Sequence, residues 1–218
     1  MKIAIIGGTG KEGSGLAVRW ANKGHRVYIG SRDAARGVER AKELSQEYDL
    51  TIHGGGNEEI LAVDGLDLVV LSVPYSAHAS TLESLKDQLA NARLLDITVP
   101  LQPPKVREVH IPSGGSAAVE AQAILGDGAQ VAAAFHHVSY NHLLDLENDL
   151  ETDVLVVADK LEFRKDIMEL VRDAGGRPVN AGVLRNATAL EALTPVLIHI
   201  NGAYKIPGAG IRITGLPE

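Results

Sequence analysis

The tightest constraint on this chain is Gly8-Thr9-Gly10-Lys11-Glu12-Gly13, a G-x-G-x-x-G hexapeptide set directly behind the short apolar run Ile3–Ile6. An uninterrupted apolar run suits a strand buried on both faces of a parallel sheet. A glycine turn leading from such a strand into a helix is the dinucleotide-binding arrangement. Gly8 permits the tight turn, Gly10 leaves the backbone open to a pyrophosphate, and Gly13 lets the helix expected to begin there lie close to the strand. The free N–H groups and positive end of that helix then face the phosphates. A second strand, Val27–Ser31, follows at the spacing such a unit requires.

The end of that second strand bears on which dinucleotide is bound. NAD sites place an Asp or Glu about 20 residues beyond the glycines, where it accepts hydrogen bonds from the ribose. Here Ser31 holds the place, Arg32 follows, and Arg36 lies one helical turn further on. A carboxylate repels a 2′-phosphate and a guanidinium attracts it, so the pattern points to NADP(H). The alternative leaves Arg32 and Arg36 as solvated surface charges and gives the ribose to Asp33.

Composition bounds the remaining classes. The 218 residues are 45% hydrophobic and 22% charged, enough apolar material for a sizeable core. A formal net charge of −7 argues against a nucleic-acid partner or an anionic membrane surface. The sequence contains no cysteine, which excludes disulfides and thiolate chemistry and suits a reducing cytoplasm. The first strand is expected from the very start of the chain, leaving no room for a signal peptide. No apolar run approaches the ~20 residues of a membrane span.

Hydrophobic periodicity continues the βα alternation. A helix is expected from Gly13 to Lys23-Gly24, with Trp20 packed on the sheet, and a polar helix over 34–48. A strand at Leu50–His53 is followed by Gly54-Gly55-Gly56-Asn57, read as a loop. Central strands are expected at Asp67–Pro74 and Leu94–Leu101, then a helix opening at Ser116 and a sixth strand over Gln130–Phe135. Two strands ending in Pro74 and Pro100 over one crevice make a stiff wall suited to a flat ring. Beyond Asp149 come a strand at Asp153–Ala158, a helix over 160–174, a short strand at Pro178–Gly182 and an apolar helix over 187–201 with Thr194-Pro195 as a kink. The tail, Pro207–Gly215, has no periodicity. The expected fold is α/β: a doubly wound parallel Rossmann sheet, with residues 1–150 as the NADP-binding domain and 151–218 as a small C-terminal α/β domain closing the substrate cleft.

The chemistry is reached by elimination. Short-chain dehydrogenases need a Tyr with a Lys four positions later, and Tyr28, Tyr48, Tyr75, Tyr140 and Tyr204 all lack it. Hydroxyacid dehydrogenases and pyrroline-carboxylate reductases add a long helical domain that the residues after 150 cannot supply. No Ser-His-Asp order or HExxH appears, and His136, His137 and His142 lack the carboxylate motif of a metal helix, so no metal site is expected. What remains is hydride transfer with no acid or base standing out. That suffices if the second substrate is itself a hydride-carrying ring, because the protein need only hold two rings with reacting carbons about 3–3.5 Å apart.

Six segments carry a resemblance to the coenzyme F420-dependent NADP oxidoreductases: Ile6–Gly10, Gly30-Ser31-Arg32, Ser72-Val73-Pro74-Tyr75, Ser116-Ala117-Ala118, Ala134-Phe135-His136, and Asn186-Ala187 through Thr194-Pro195. The resemblance covers essentially the whole chain. It implies reversible hydride exchange between NADP(H) and the deazaflavin F420 as co-substrate. Carried onto this sequence, it assigns Thr9, Gly10, Lys11, Glu12, Gly13, Ser31, Arg32 and Arg36 to the adenine-side phosphates. Val73, Pro74, Tyr75, Val99, Pro100, Leu101 and Tyr140 flank the ribose and nicotinamide. His136, Val138 and Thr194 border the deazaflavin, with His136 and Thr194 as positioning residues and no residue essential for the chemistry. Ala192 departs from the family, which can carry a Ser two residues before the Thr. A small-molecule redox coenzyme is the expected partner, and a homodimer the expected assembly. A flavin reductase and a non-catalytic NADP sensor are the alternatives.

Overall fold

The computed structural model describes residues 1–216; the final two residues of the expected 151–218 unit lie outside the described residues. The strands are β1 (Lys2–Ile6), β2 (Arg26–Ser31), β3 (Ile52–Gly56), β4 (Leu68–Leu71), β5 (Arg93–Asp96), β6 (Gln130–Ala133), β7 (Asp153–Ala158) and β8 (Arg177–Asn180). The helices are α1 (Lys11–Asn22), α2 (Ala34–Tyr48), α3 (Asn57–Leu61), α4 (Tyr75–Ser84), α5 (Lys86–Leu89), α6 (Ala117–Leu125), α7 (Tyr140–Leu143), α8 (Leu161–Asp173) and α9 (Ala187–Tyr204). Among the described residues no helix is long and apolar enough to cross a membrane.

One sheet runs in the order β3-β2-β1-β4-β5-β6-β7-β8. The first six strands are parallel, β7 pairs antiparallel with β6 through Ala132↔Ala158, and β8 returns parallel to β7. The C-terminal strands thus extend the doubly wound sheet at its far edge. Alternating side chains send Ile5 into one core with Leu16 and Trp20 of α1 and Phe163 of α8, and Ile6 into another with Leu82 of α4, Ala118 of α6 and Leu190 of α9. Trp20 does pack on the sheet side. Its ring meets Phe135 edge-on at 5.9 Å between centroids, and its Nε1 donates to Leu170 O at 2.9 Å.

Several boundaries differ from the sequence reading, each for a steric or pairing reason. Helix α1 begins at Lys11, so Gly13 lies inside it. A Cβ on Gly13 would sit 2.9 Å from Gly8 Cα and 3.0 Å from Ser72 Oγ, which is the close helix–strand approach the motif requires. The Gly54–Gly56 run is strand, not loop, and pairs with Ile29, Gly30 and Ser31. Its glycines admit α2: a Cβ on Gly54 would fall 2.2 Å from Gly37 O, and one on Gly37 2.2 Å from Gly55 O. Strands β4 and β5 stop short of Pro74 and Pro100, and β6 stops at Ala133. The register explains this, for Ile6, Leu71, Asp96 and Ala133 pair in one row and mark the last rungs of the β1-β4-β5-β6 ladder. Past that row the chain leaves the sheet, and Ser72–Pro74, Ile97–Leu101 and Ala134–Val138 become the walls of a cleft. This cleft lies where the strand order reverses, between β1 and β4.

Candidate functional site

The glycine turn requires Gly7 as well as Gly8, where a Cβ would meet Ile29 Cβ at 2.8 Å and Ile5 O at 2.9 Å. Gly7 has φ +71°, and a Cβ there would meet Ser72 O at 2.4 Å. Its N–H points to Asn57 Oδ1 at 3.4 Å, and the turn closes through Gly8 N to Ile5 O and Gly10 N to Gly7 O at 3.1 and 3.0 Å. Gly10 is the N-cap of α1 and supplies no side-chain cap, so the first-turn N–H groups have no side chain in front of them. The nearest atom to a Cβ built on Gly10 is Gly7 O at 3.4 Å, so the approach is open. An uncapped helix N-terminus behind an open glycine fits a pyrophosphate.

Helix α2 contrasts with it. Asp33 caps α2, its Oδ1 accepting from Ala35 N at 3.0 Å and Arg36 N at 3.4 Å. The alternative ribose acceptor is therefore engaged with its own helix. Ser31 is buried and accepts from Asp33 N, while Arg32 and Arg36 are exposed at the end of β2 and the start of α2.

The cleft encloses about 580 Å³. Of the sequence-derived site residues its lining includes Gly10, Glu12, Val73, Pro74, Val99, Leu101, His136, Val138, Tyr140 and Thr194. Leu197, Ile198 and Asn201 of α9 form the opposite wall, with Pro207 and Ala209 of the tail at one end. Gly8, Thr9, Lys11, Gly13, Ser31, Arg32 and Arg36 lie outside it on the phosphate side, and two of the expected ribose and nicotinamide contacts also lie outside this lining. Pro100 is buried behind the wall, and the Tyr75 hydroxyl turns away to donate to Glu120 Oε2 at 2.9 Å. Burial, aided by Glu120, pushes the Tyr75 hydroxyl up to about 12. Lys11 crosses from the turn to the far wall. Its Nζ donates to Tyr140 Oη at 3.0 Å and lies 4.3 Å from the ring centroid, and the hydrogen bond raises the Lys11 pKa.

The three histidines part company. His136 is 5% exposed, and neither ring nitrogen has a partner among the described residues. Burial pushes it down to about 4, so it is neutral at neutral pH. Its carbonyl accepts from Thr194 Oγ1 at 2.7 Å, which ties α9 to the β6 side of the cleft. His137 Nε2 pairs with Asp153 O at 2.8 Å, and His142 Nε2 faces Gly208 O at 3.3 Å.

Sequence reasoning missed the residue that holds this wall in place. Arg19, buried on α1, donates from Nε to Leu143 O at 3.0 Å, from Nη1 to Ala174 O at 2.9 Å, and from Nη2 to the carbonyls of His142, Asp145 and Asn148. One guanidinium thus gathers a segment with little regular structure of its own. The available signal is a cation set between Ala17 and Trp20 on the buried side of α1; its partners, being backbone carbonyls, leave no mark in the sequence.

Residues 2–100 match the family described as NADP oxidoreductase, coenzyme F420-dependent. An F420-dependent NADP reductase from Methanothermobacter thermautotrophicus is 38% identical over 100% of this chain and 97% of its own length. The chain belongs to the coenzyme F420-dependent NADP oxidoreductase family. The F420-dependent NADP reductase of Methanocaldococcus jannaschii is 37% identical over 99% of both chains. A crystal structure from Arthrobacter sp. FB24, described in the terms of the same family, superposes with a TM-score of 0.81 at 24% identity, covering 98% of this chain and 99% of that one, and so shares the fold. In this F420-dependent NADP oxidoreductase the cleft reaches the glycine turn itself, with Gly10 and Glu12 in its lining.

Proposed function

We propose that the chain transfers hydride reversibly between NADP(H) and F420, the two rings stacked in the cleft beyond the last rungs of β1, β4, β5 and β6. The observation that carries this reading is the uncapped, open N-terminus of α1 leading into a 580 Å³ cleft whose walls are mostly apolar and uncharged. Such walls hold flat rings and exclude water without taking part in bond making. Gly8, Thr9, Gly10, Lys11, Glu12 and Gly13 take the pyrophosphate, while Ser31, Arg32 and Arg36 take the 2′-phosphate. Val73, Pro74, Val99, Leu101 and Tyr140 border the ribose and nicotinamide, with Tyr75 and Pro100 supporting that wall from behind. His136, Val138 and Thr194 border the deazaflavin, His136 and Thr194 as positioning residues. Hydride leaves C4 of the reduced nicotinamide for the deazaflavin, which also takes up one proton.

Residues 1–150 form the NADP-binding part in this reading, and 151–218 the part that closes the cleft. The enzyme is assigned to the cytoplasm, in keeping with its lack of cysteine. Exposed Val196, Tyr204 and Ile206, on and just after α9, support a homodimer, checked by sedimentation.

The test uses NADPH deuterated separately on each face of C4 and follows label into F420. One nicotinamide face rests on the sheet side and the other faces the crevice, so label is expected from a single face with no loss to water. Label from both faces, washout, or transfer to FMN or FAD in place of F420 would overturn the arrangement.

A further inference from the structure

Beneath the cleft lie three carboxyl groups to which the reaction as described gives no part. Asp96, the last residue of β5, is fully buried and directly precedes Ile97 and Thr98, which line the cleft. Its Oδ2 meets His78 Nε2 at 2.7 Å, and its Oδ1 accepts from Thr98 N at 2.9 Å. Glu191 of α9, 1% exposed and three residues before Thr194, accepts from Ala117 N and Ala118 N at 2.7 and 3.1 Å. Glu120 of α6 accepts from the Tyr75 hydroxyl and, at 3.2 Å, from Gly114 N.

The groups form one electrostatic neighbourhood. Asp96 raises the pKa of His136 against the stronger effect of burial, and it also raises that of Glu191, as does Glu120. Asp96 pairs with Ala133 in the β5–β6 register, three residues before His136, and so stands directly behind the cleft wall formed by Ile97, Thr98 and His136. His78 is the basic group paired with it; Tyr75, His110 packed against Tyr75, His136 and His137 are the other titratable groups of this neighbourhood. Among the described residues, the cleft lining carries Glu12 and no Lys or Arg, so no lining cation offsets the carboxylates there. Lys11 stands at the phosphate end, on Tyr140.

Removing a carboxylate from water is costly, and one held in a poorly solvated site acts strongly on any charge that appears nearby. The nicotinamide ring is neutral when reduced and cationic when oxidised. We propose that the buried Asp96 carboxylate, held between His78 and the Thr98 amide, favours the oxidised, cationic nicotinamide over the reduced one. The protein then holds NADP⁺ more tightly than the shared phosphates and adenosine alone dictate, and the same charge assists hydride departure from NADPH. The inference rests on the proposed placement of the nicotinamide between Ser72–Pro74 and Ile97–Val99.

The experiment measures dissociation constants of NADP⁺, NADPH and adenosine 2′,5′-bisphosphate, the last lacking the nicotinamide, for the wild type and Asp96→Asn. Asparagine keeps an acceptor for Thr98 N and a polar face toward His78 while removing the charge. The expected result is an NADP⁺ affinity weakened about tenfold, or about 1.4 kcal/mol, with NADPH and the bisphosphate within about twofold. Equal weakening of all three ligands, or no change in any, would overturn the proposal. Should Asp96→Asn not fold, Asp96→Ser removes the same charge while its hydroxyl can still accept from Thr98 N. A selective loss of about tenfold for NADP⁺ is again expected, and its absence counts against the proposal. Reduction of F420 by the wild type is followed separately. Wild-type turnover alongside unselective losses in the variant would defeat the charge inference and leave the hydride-transfer reading intact.

Discussion

At the scale of single residues, the two ends of the site work through different physics, and each can be tested alone. Arg32 and Arg36 are exposed, and in the proposed arrangement they meet the 2′-phosphate through charge-assisted hydrogen bonds, each worth on the order of 1.5–3 kcal/mol. Arg32→Ala is therefore expected to weaken NADPH at least about tenfold and to change NADH little, as read by fluorescence titration. Equal losses for both would return the arginines to the solvent. His136 is held neutral by burial, pushed down to about 4 from an ordinary 6.5. The unfolded chain takes up this proton below about 6.5 and the folded chain only near 4. The contribution is thus complete above the unfolded value and is lost as pH falls toward 4, at most roughly 3 kcal/mol. His136→Ala should flatten the loss of urea stability between pH 7 and pH 4. In the positioning role proposed for His136, the substitution should slow F420 reduction moderately without abolishing it, and complete loss in a folded variant would instead indicate an obligatory acid or base.

At the scale of elements, the helix and strand cores are what the sequence made legible, and their ends are what it did not. Ile3–Ile6 and Leu68–Leu71 read as central strands because a strand buried on both faces must be apolar throughout. Their stopping row is a property of the neighbours, since a ladder ends where its partner ends, and no residue type at Leu71 or Asp96 announces that. Gly54–Gly56 looked like loop because glycine usually breaks strands; the helix that needs their missing side chains is a tertiary neighbour. The site divides the same way. Gly10 and Pro74, chosen for backbone demands, line the cleft, although Pro100, chosen on the same ground, is buried outside its lining; Tyr75, whose hydroxyl direction depends on Glu120 in a helix distant in sequence, turns away. Arg19 was beyond reach altogether. Arg19→Met, which keeps an unbranched stem, should cost on the order of 3 kcal/mol because five buried or half-buried carbonyls lose a cationic donor. The check is the urea midpoint together with amide exchange over residues 142–148, which should quicken ahead of the core strands.

At the scale of the whole molecule, one sheet joins the exposed arginines after β2 to the cleft, and β7 brings the chain back antiparallel so that α9 and the tail line the crevice opened by the earlier residues. The segment from Ala134 to Thr152 makes that return, and its 142–148 stretch is fastened by Arg19 on backbone dipoles with no carboxylate in an ion pair with it among the described residues. Mobile ions screen exposed charges over roughly 8–10 Å at ordinary ionic strength and act far less on a buried cation solvated by carbonyls. Raising salt should therefore loosen the grip on the 2′-phosphate of NADPH while amide protection over 142–148 stays as it was. The enzyme would then lose its preference between nicotinamide coenzymes before it lost the shape of its reaction chamber, so discrimination and architecture respond to different properties of the surrounding solution.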